Sequence, residues 1–250
     1  MDPVFQAWQR YYSYEAKAVP AESEGGLSAT AKTVLKTGAI DGASVLEVGC
    51  GTGRLACELA PFASRVQGID ANRDCIDLAA HRASEAGQRD TAFITSSWQD
   101  IESSARFDVV IAALCPFVRT TQDIAKMNDL TSGTCMIVTV APGSTDNHMR
   151  NLMSMFSIKP NDGIILGETA IASLLSDAGM APAIHPFTSH RNYSVPIDAF
   201  IEKEVLHLAA LGVSEEESRK GIGHYCRSVL RDGYIEGTAI TNLSLFIWKP

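Results

Sequence analysis

The segment Val45-Leu46-Glu47-Val48-Gly49-Cys50-Gly51-Thr52-Gly53 constrains this chain more than any other stretch. An apolar run of β-type residues carries an acid near its end and enters a loop with glycine at three alternate positions. Glycine reaches positive φ without steric cost and lets the backbone come close to a ligand. A second β-type run, Arg65-Val66-Gln67-Gly68-Ile69, then delivers Asp70, roughly 20 residues on, where nucleotide-binding α/β folds place a ribose-binding acid. A strand–loop–helix–strand unit with parallel strands brings the loop and that acid to one edge of a sheet. The pairing points to a bound nucleoside cofactor.

Two kinds of nucleoside site use such a loop. A dinucleotide fingerprint, G-x-G-x-x-G, needs its third glycine for close helix–strand packing, and counted from Gly49 that position holds Arg54. The pattern here is E-x-G-x-G-x-G, opening on Glu47. It resembles the first motif of the class I S-adenosylmethionine-dependent methyltransferases. The resemblance covers residues 40–140 well and is architectural beyond them. It implies an α/β fold, a Rossmann-like doubly wound sheet of about seven strands, mostly parallel with an antiparallel last strand, plus helical lid elements. It implies S-adenosyl-L-methionine as cofactor, with Gly49, Cys50, Gly51 and Gly53 under its methionine half. Glu47 then orders the loop or reaches the cofactor's amino group through water. Asp70 and Ala71 stand at the ribose, Ser97 and Trp98 at the adenine, and Ala112 and Ala113 leave the cofactor room. Asp100 either binds the adenine amino group or caps its own turn.

Composition bounds the partners. Among 250 residues, 46% are hydrophobic and 20% charged, as in ordinary globular proteins. No run approaches the roughly 18 apolar residues of a membrane span. The start, Met1-Asp2-Pro3-Val4-Phe5-Gln6, lacks the basic and then apolar order of a secretion signal, so the expected location is cytoplasmic, with no membrane partner. The net charge of −8 argues against nucleic acid, whose nonspecific binding depends on Lys and Arg. Cys50, Cys57, Cys75, Cys115, Cys135 and Cys226 show no paired spacing, so neither a zinc site nor a disulfide framework is expected. They read as reduced and mostly buried.

Strands and helices alternate from Ser44, the pattern of a parallel sheet covered on both faces. Strands are predicted at 45–48, 66–69, 91–95, 107–112, 135–140, 183–187 and 240–248. Helices are predicted at 27–38, 54–62, 75–86, 123–130, 169–178, 197–211 and 214–232, with Ser28, Asn72 and Ser214 as caps. A glycine-containing hinge is read at 21–26. The expected organisation is one methyltransferase domain over 1–250, with an N-terminal helical lid at 1–40. A helical insertion at 190–235 precedes the last strand.

The acceptor is sought after the fourth strand, in Leu114-Cys115-Pro116-Phe117. Family members that methylate nucleobase amino groups often carry Asp/Asn-Pro-Pro-aromatic here. This chain lacks the polar first residue, which weakens a nucleic-base reading. Cys115, Tyr11, Tyr14, His148 and Tyr193 are candidates for the acceptor pocket, with Tyr12 a further source of aromatic cover. Aromatic faces attract a cationic sulfonium. Equally, the N-terminal aromatics form a helix packed against the fold, and Cys115 is a small hydrophobe. Should the acceptor have to lose a proton, His148, His185, His190 and Tyr193 are candidate bases, and no spacing selects among them. No catalytic residue and no oligomeric state is assigned. The expected function is methyl transfer to a small molecule. Methylation of a protein or RNA, or a non-catalytic adenosylmethionine-binding module, are the alternatives.

Overall fold

A computed structural model describes residues 3–18, 26–102, 106–158 and 165–250. The hinge read at 21–26 lies, apart from Gly26, outside the described residues. The chain divides into two compact units.

The sheet-bearing unit holds residues 26–142, 165–189 and 242–250 of those described. It begins with helix α2 (Ala29–Leu35), which follows α1 (Pro3–Ala18) of the other unit. Ser28 caps α2 by accepting the Ala31 N–H at 3.1 Å. Then come β1 (Ser44–Val48), α3 (Arg54–Leu59), β2 (Arg65–Asp70), α4 (Arg73–Glu85), β3 (Thr91–Thr95), β4 (Phe107–Ala113), α5 (Thr121–Leu130) and β5 (Thr131–Val140). After β6 (Thr145–Asp146) and α6 (Asn147–Met155), α7 (Glu168–Asp177) completes the helices of this unit. β7 (Ala183–Pro196) and β8 (Tyr234–Trp248) run through both units.

The strand order is β3-β2-β1-β4-β5-β8, with β7 also paired to β8. β1 pairs in parallel with β2 and β4, so Val48 lies beside both Ile69 and Ala112. β8 is antiparallel to β5, Cys135 opposite Trp248. Chain order reverses around β1 and β4, the place where open α/β sheets bind ligands beyond the strands' carboxyl ends. Alternate residues feed two apolar cores. Leu46, Val48, Val110 and Ile137 join Ile124 and Met127 of α5 and Leu175 of α7. Val45, Val109, Ile111 and Met136 join Val34 of α2 and Leu55 and Leu59 of α3. This is the doubly wound arrangement the alternation predicts.

The helical unit holds residues 3–18, 143–158 and 190–241 of those described. It contains α1, α6, α8 (Ile197–Ala210) and α9 (Glu215–Val229) around its own core of Leu152, Phe200, Val205, Leu208, Ile222, Cys226 and Ile235. Tyr14 donates to the Ala199 carbonyl at 3.2 Å, and Lys203 pairs with Glu15 at 3.3 Å, which ties α1 to α8. Ser214 caps α9 by accepting from the Glu217 N–H.

Several predicted boundaries are corrected. β7 runs nine residues past the expected Phe187, and β8 begins at Tyr234 rather than Ile240. Residues 190–235 are therefore helical only over α8 and α9, between strand ends. The helix expected to reach Asp232 stops at Val229, because Leu230 turns extended and Arg231 and Tyr234 bridge. α6 and the two-residue β6 were not anticipated. β6 brings the sheet to eight strands by pairing Thr145 with Ile240.

Candidate active site

The three glycines after β1 all adopt positive φ: Gly49 at 67°, Gly51 at 51° and Gly53 at 72°. Packing separates their roles. A Cβ on Gly49 would lie 2.7 Å from the Cys115 sulfur, and one on Gly53 would lie 2.5 Å from the Ala79 Cβ. A Cβ on Gly51 would meet nothing within 4 Å. Gly49 and Gly53 thus let the loop seat against Cys115, beyond the end of β4, and against α4, whereas Gly51 keeps its open side clear.

Asp70 ends β2 and holds the loop. Its Oδ2 accepts the Gly51 N–H at 2.9 Å and its Oδ1 accepts the Asn72 N–H at 2.8 Å. Burial pushes its carboxyl above the usual range, and the N–H groups of Asn72, Gly51 and Ala71 oppose that. A carboxylate offers about four lone-pair sites, so both oxygens keep acceptor capacity for hydroxyl groups. The Cys50 N–H meets the Ile69 carbonyl at 2.9 Å, which joins the loop to β2.

Glu47 is 3% exposed in the middle of the sheet. Its carboxyl accepts the Ala56 N–H in the first turn of α3, while Oε2 is buried without a hydrogen-bond partner. Burial, with Asp70 and Glu58 nearby, pushes its carboxyl up to about 8. Burial also raises the Cys50 thiol, with Glu47 and Asp70 adding to it.

Gly49, Asp70, Ala71 and Trp98 border one narrow crevice together with Val48, Ile69, Ser96 and Phe117. Ser96 opens the segment 96–101 that the resemblance sets against the adenine, and Phe117 ends the acceptor segment, though neither was singled out as a site residue. Ser96 stands there because its N–H bonds the Asp70 carbonyl at 3.0 Å. The Ser97 hydroxyl donates to the Asp100 carboxylate at 2.7 Å, so Asp100 closes its own turn. Trp98 is 3% exposed and donates from Nε1 to Asp123 Oδ1 at 2.8 Å. Lys126 Nζ lies 4.9 Å from its ring centroid. Arg82 was also missed: its Nη1 reaches the Thr52 carbonyl at 2.8 Å and hydroxyl at 2.7 Å, clamping the loop from α4.

At the carboxyl end of β4, Ala112 is buried and Ala113 partly so. Leu114 has φ 51°, a left-handed conformation unusual for a branched residue, and its side chain is exposed. Its N–H bonds the Val138 carbonyl at 2.8 Å, which fixes that strained geometry. Non-glycine strain of this kind costs about 1–3 kcal/mol and concentrates at functional sites. Burial raises the Cys115 thiol to about 12, so it is a neutral packing group against Gly49 and not a thiolate nucleophile.

The remaining candidates lie in the helical unit. Tyr11 packs edge-on to Trp8 at 5.7 Å and beside His207 at 5.1 Å. His148 is buried with both ring nitrogens engaged, Nε2 with the Glu236 carbonyl at 2.8 Å and Nδ1 with the Tyr225 hydroxyl at 2.7 Å. A carbonyl only accepts, so Nε2 carries the hydrogen. Tyr193 donates to Asp146 at 3.0 Å, and burial with that carboxylate raises its phenol. His185 and His190 are exposed on β7. Among the described residues, no group of three or more His, Cys, Asp or Glu is placed to hold a metal, and no helix is long and apolar enough to cross a membrane.

Two features fit the methionine half and ribose of an adenosylmethionine: the clear side of Gly51 and the spare acceptor capacity of Asp70. The unpartnered Glu47 oxygen adds a buried acceptor beside the loop. Comparison with known proteins agrees. Residues 40–174 match the family profile described as a methyltransferase domain. The cypemycin N-terminal methyltransferase of a Streptomyces species is 34% identical over 71 residues, a match spanning 28% of either chain. Among solved structures, a protein that converts a disulfide bond into a thioacetal group in echinomycin biosynthesis superposes with a TM-score of 0.59 at 17% identity, covering 98% of this chain and 92% of that one. Magnesium protoporphyrin IX methyltransferase of Synechocystis PCC 6803, with bound S-adenosylhomocysteine, gives 0.51 at 16% identity, covering 98% and 94%. A SAM-dependent methyltransferase of Aquifex aeolicus gives 0.53 at 14%, covering 92% and 97%. At those identities the structures speak to the fold, and the family profile carries the assignment. The chain belongs to the class I S-adenosylmethionine-dependent methyltransferases.

Proposed function

We propose that this chain transfers the methyl group of S-adenosylmethionine to a small-molecule acceptor. The observation that carries the donor half is the glycine loop itself: Gly51 open on one side and tied by its N–H to Asp70. When bound, the cofactor supplies an activated methyl on a sulfonium, so the protein has little covalent chemistry to perform. Its contribution is orientation and exclusion of water, worth roughly 7–11 kcal/mol at best. Asp70 and Ala71 would hold the ribose, Gly49, Cys50, Gly51 and Gly53 the methionine half, and Ser96, Ser97 and Trp98 the adenine edge. Ala112 and Ala113 would leave room beside it.

The small-molecule reading is supported by the acidic net charge of −8 and by Leu114 where a polar residue would serve a nucleobase. Neighbours of the same fold are described as acting on a porphyrin and in natural-product synthesis. Likeness to an N-terminal methyltransferase favours one second reading, a peptide α-amine as acceptor. We assign the helical unit, including Tyr11, Tyr14 and Tyr193, to selecting the acceptor, with His148 holding that unit together.

Calorimetry tests the donor: S-adenosylmethionine should bind and NADH should not. Tight NADH binding with no adenosylmethionine signal would overturn the proposal. Incubation with labelled donor and either a small-amine and phenol panel or short peptides then separates the two acceptor readings by which one takes up label.

A further inference from the structure

Glu47 has a chemistry that binding alone does not use. It sits one residue before the end of β1, beside Gly68 of β2 and Ile111 of β4, so it faces no bulk water from the sheet. The titratable groups whose charge acts on it are Asp70 on β2, Glu58 (itself paired with Arg54 at 3.1 Å) and Cys57 on α3, Cys50 in the loop and Cys115 after β4. One of its oxygens takes the Ala56 N–H and the other has no partner. A second buried anion next to Asp70 lacks the pairing that buried charge requires. A neutral carboxylic acid avoids that cost.

Resting on the donor assigned above, we infer that Glu47 is a proton-linked counter-charge. It is protonated when the cofactor is absent and releases its proton to solvent when S-adenosylmethionine binds. The cofactor brings a sulfonium and an ammonium against one carboxylate, a net positive charge next to the acidic cluster. An added cation stabilises the ionised form of a nearby acid. Charge then balances: Glu47 loses one proton to buffer and becomes the anion that matches the cation gained. Cofactor binding and proton release are two readings of one equilibrium.

The test is calorimetric titration of the full chain with S-adenosylmethionine at about pH 6.5, below the α-amino range of roughly 7.7–8.0, in buffers of different ionisation enthalpy. The wild type should release about one proton per cofactor. Glu47→Gln, which fixes the neutral form, should release close to none. In a second measurement, wild-type affinity should rise about tenfold per pH unit from roughly pH 5.5 to 7, which keeps the inference testable if the variant folds poorly. Binding without proton exchange, or equal release by Glu47→Gln, overturns the linkage and leaves the donor assignment standing. Absence of binding overturns both.

Discussion

Asp70 does two jobs with one carboxylate. It pins the loop through the Gly51 N–H and starts the next turn through the Asn72 N–H, and it is the group assigned to the ribose. Asp70→Ala should therefore weaken S-adenosylmethionine binding by about 1.5–3 kcal/mol, the worth of hydrogen bonds to a charged group. Calorimetry checks it, and unchanged affinity would place the ribose elsewhere. Glu47 supplies a stability prediction of opposite sense to most carboxylates. Its folded value of about 8 stands above the ordinary 4.5, so between those values the folded chain binds the proton more strongly than the unfolded one. That contribution is present in acid and is lost as pH rises through the window, by up to about 1.4 kcal/mol per unit. Urea denaturation across the window should show Glu47→Gln gaining on the wild type as pH rises; parallel profiles would mean that Glu47 is ionised in the folded chain. Glu47, the glycines and Asp70 were legible in sequence because short-range order carries them. Arg82 was not, since it acts on Thr52, a residue 30 positions away brought near only by the fold.

At the scale of elements, α5 shows how one side chain can fix both a helix start and a site residue. Thr120 and Asp123 form a reciprocal capping box, and the same Asp123 carboxylate accepts the Trp98 indole N–H. Burial would raise the Asp123 carboxyl, but donors from Arg119, Thr120 and Trp98 outweigh it and hold it below the usual range. Its stabilisation is thus complete above the unfolded carboxyl value and lost as pH falls through the lower folded one. Asp123→Ala should cost about 1–3 kcal/mol near neutral pH through the lost cap and the orphaned indole. The loss relative to wild type should shrink in acid. Denaturant midpoints at the two pH values, with Trp98 fluorescence as probe, decide it. Sequence pattern found the buried parallel strands, whose apolar runs are continuous. It cut β7 and β8 short because their outer stretches are largely exposed and polar. Pairing along β8 overrides that local preference.

At the scale of the molecule, the division into units explains why the helical part of the chain was hard to read. The sheet-bearing unit is built from contiguous alternation, whereas the helical unit is assembled from three separated segments, residues 3–18, 143–158 and 190–241. No local motif announces such a union. The helical unit's polar interior is built from distant residues too: His148 of α6 meets Tyr225 of α9 and the Glu236 carbonyl of β8. With both nitrogens engaged there, His148 serves as a structural joint of that unit. α1 belongs to it through Trp8 against His207, Tyr14 on Ala199 and Glu15 with Lys203, contacts made within the unit alone. If the unit selects the acceptor, removing residues 1–20 should leave S-adenosylmethionine affinity within about twofold while methyl transfer falls by about 10–100-fold, the penalty of a misplaced reactant. A second measurement separates loss of function from loss of fold: thermal unfolding of the truncated chain should keep the transition of the sheet-bearing unit. Full transfer activity in the truncated chain rejects a role for α1 in acceptor selection.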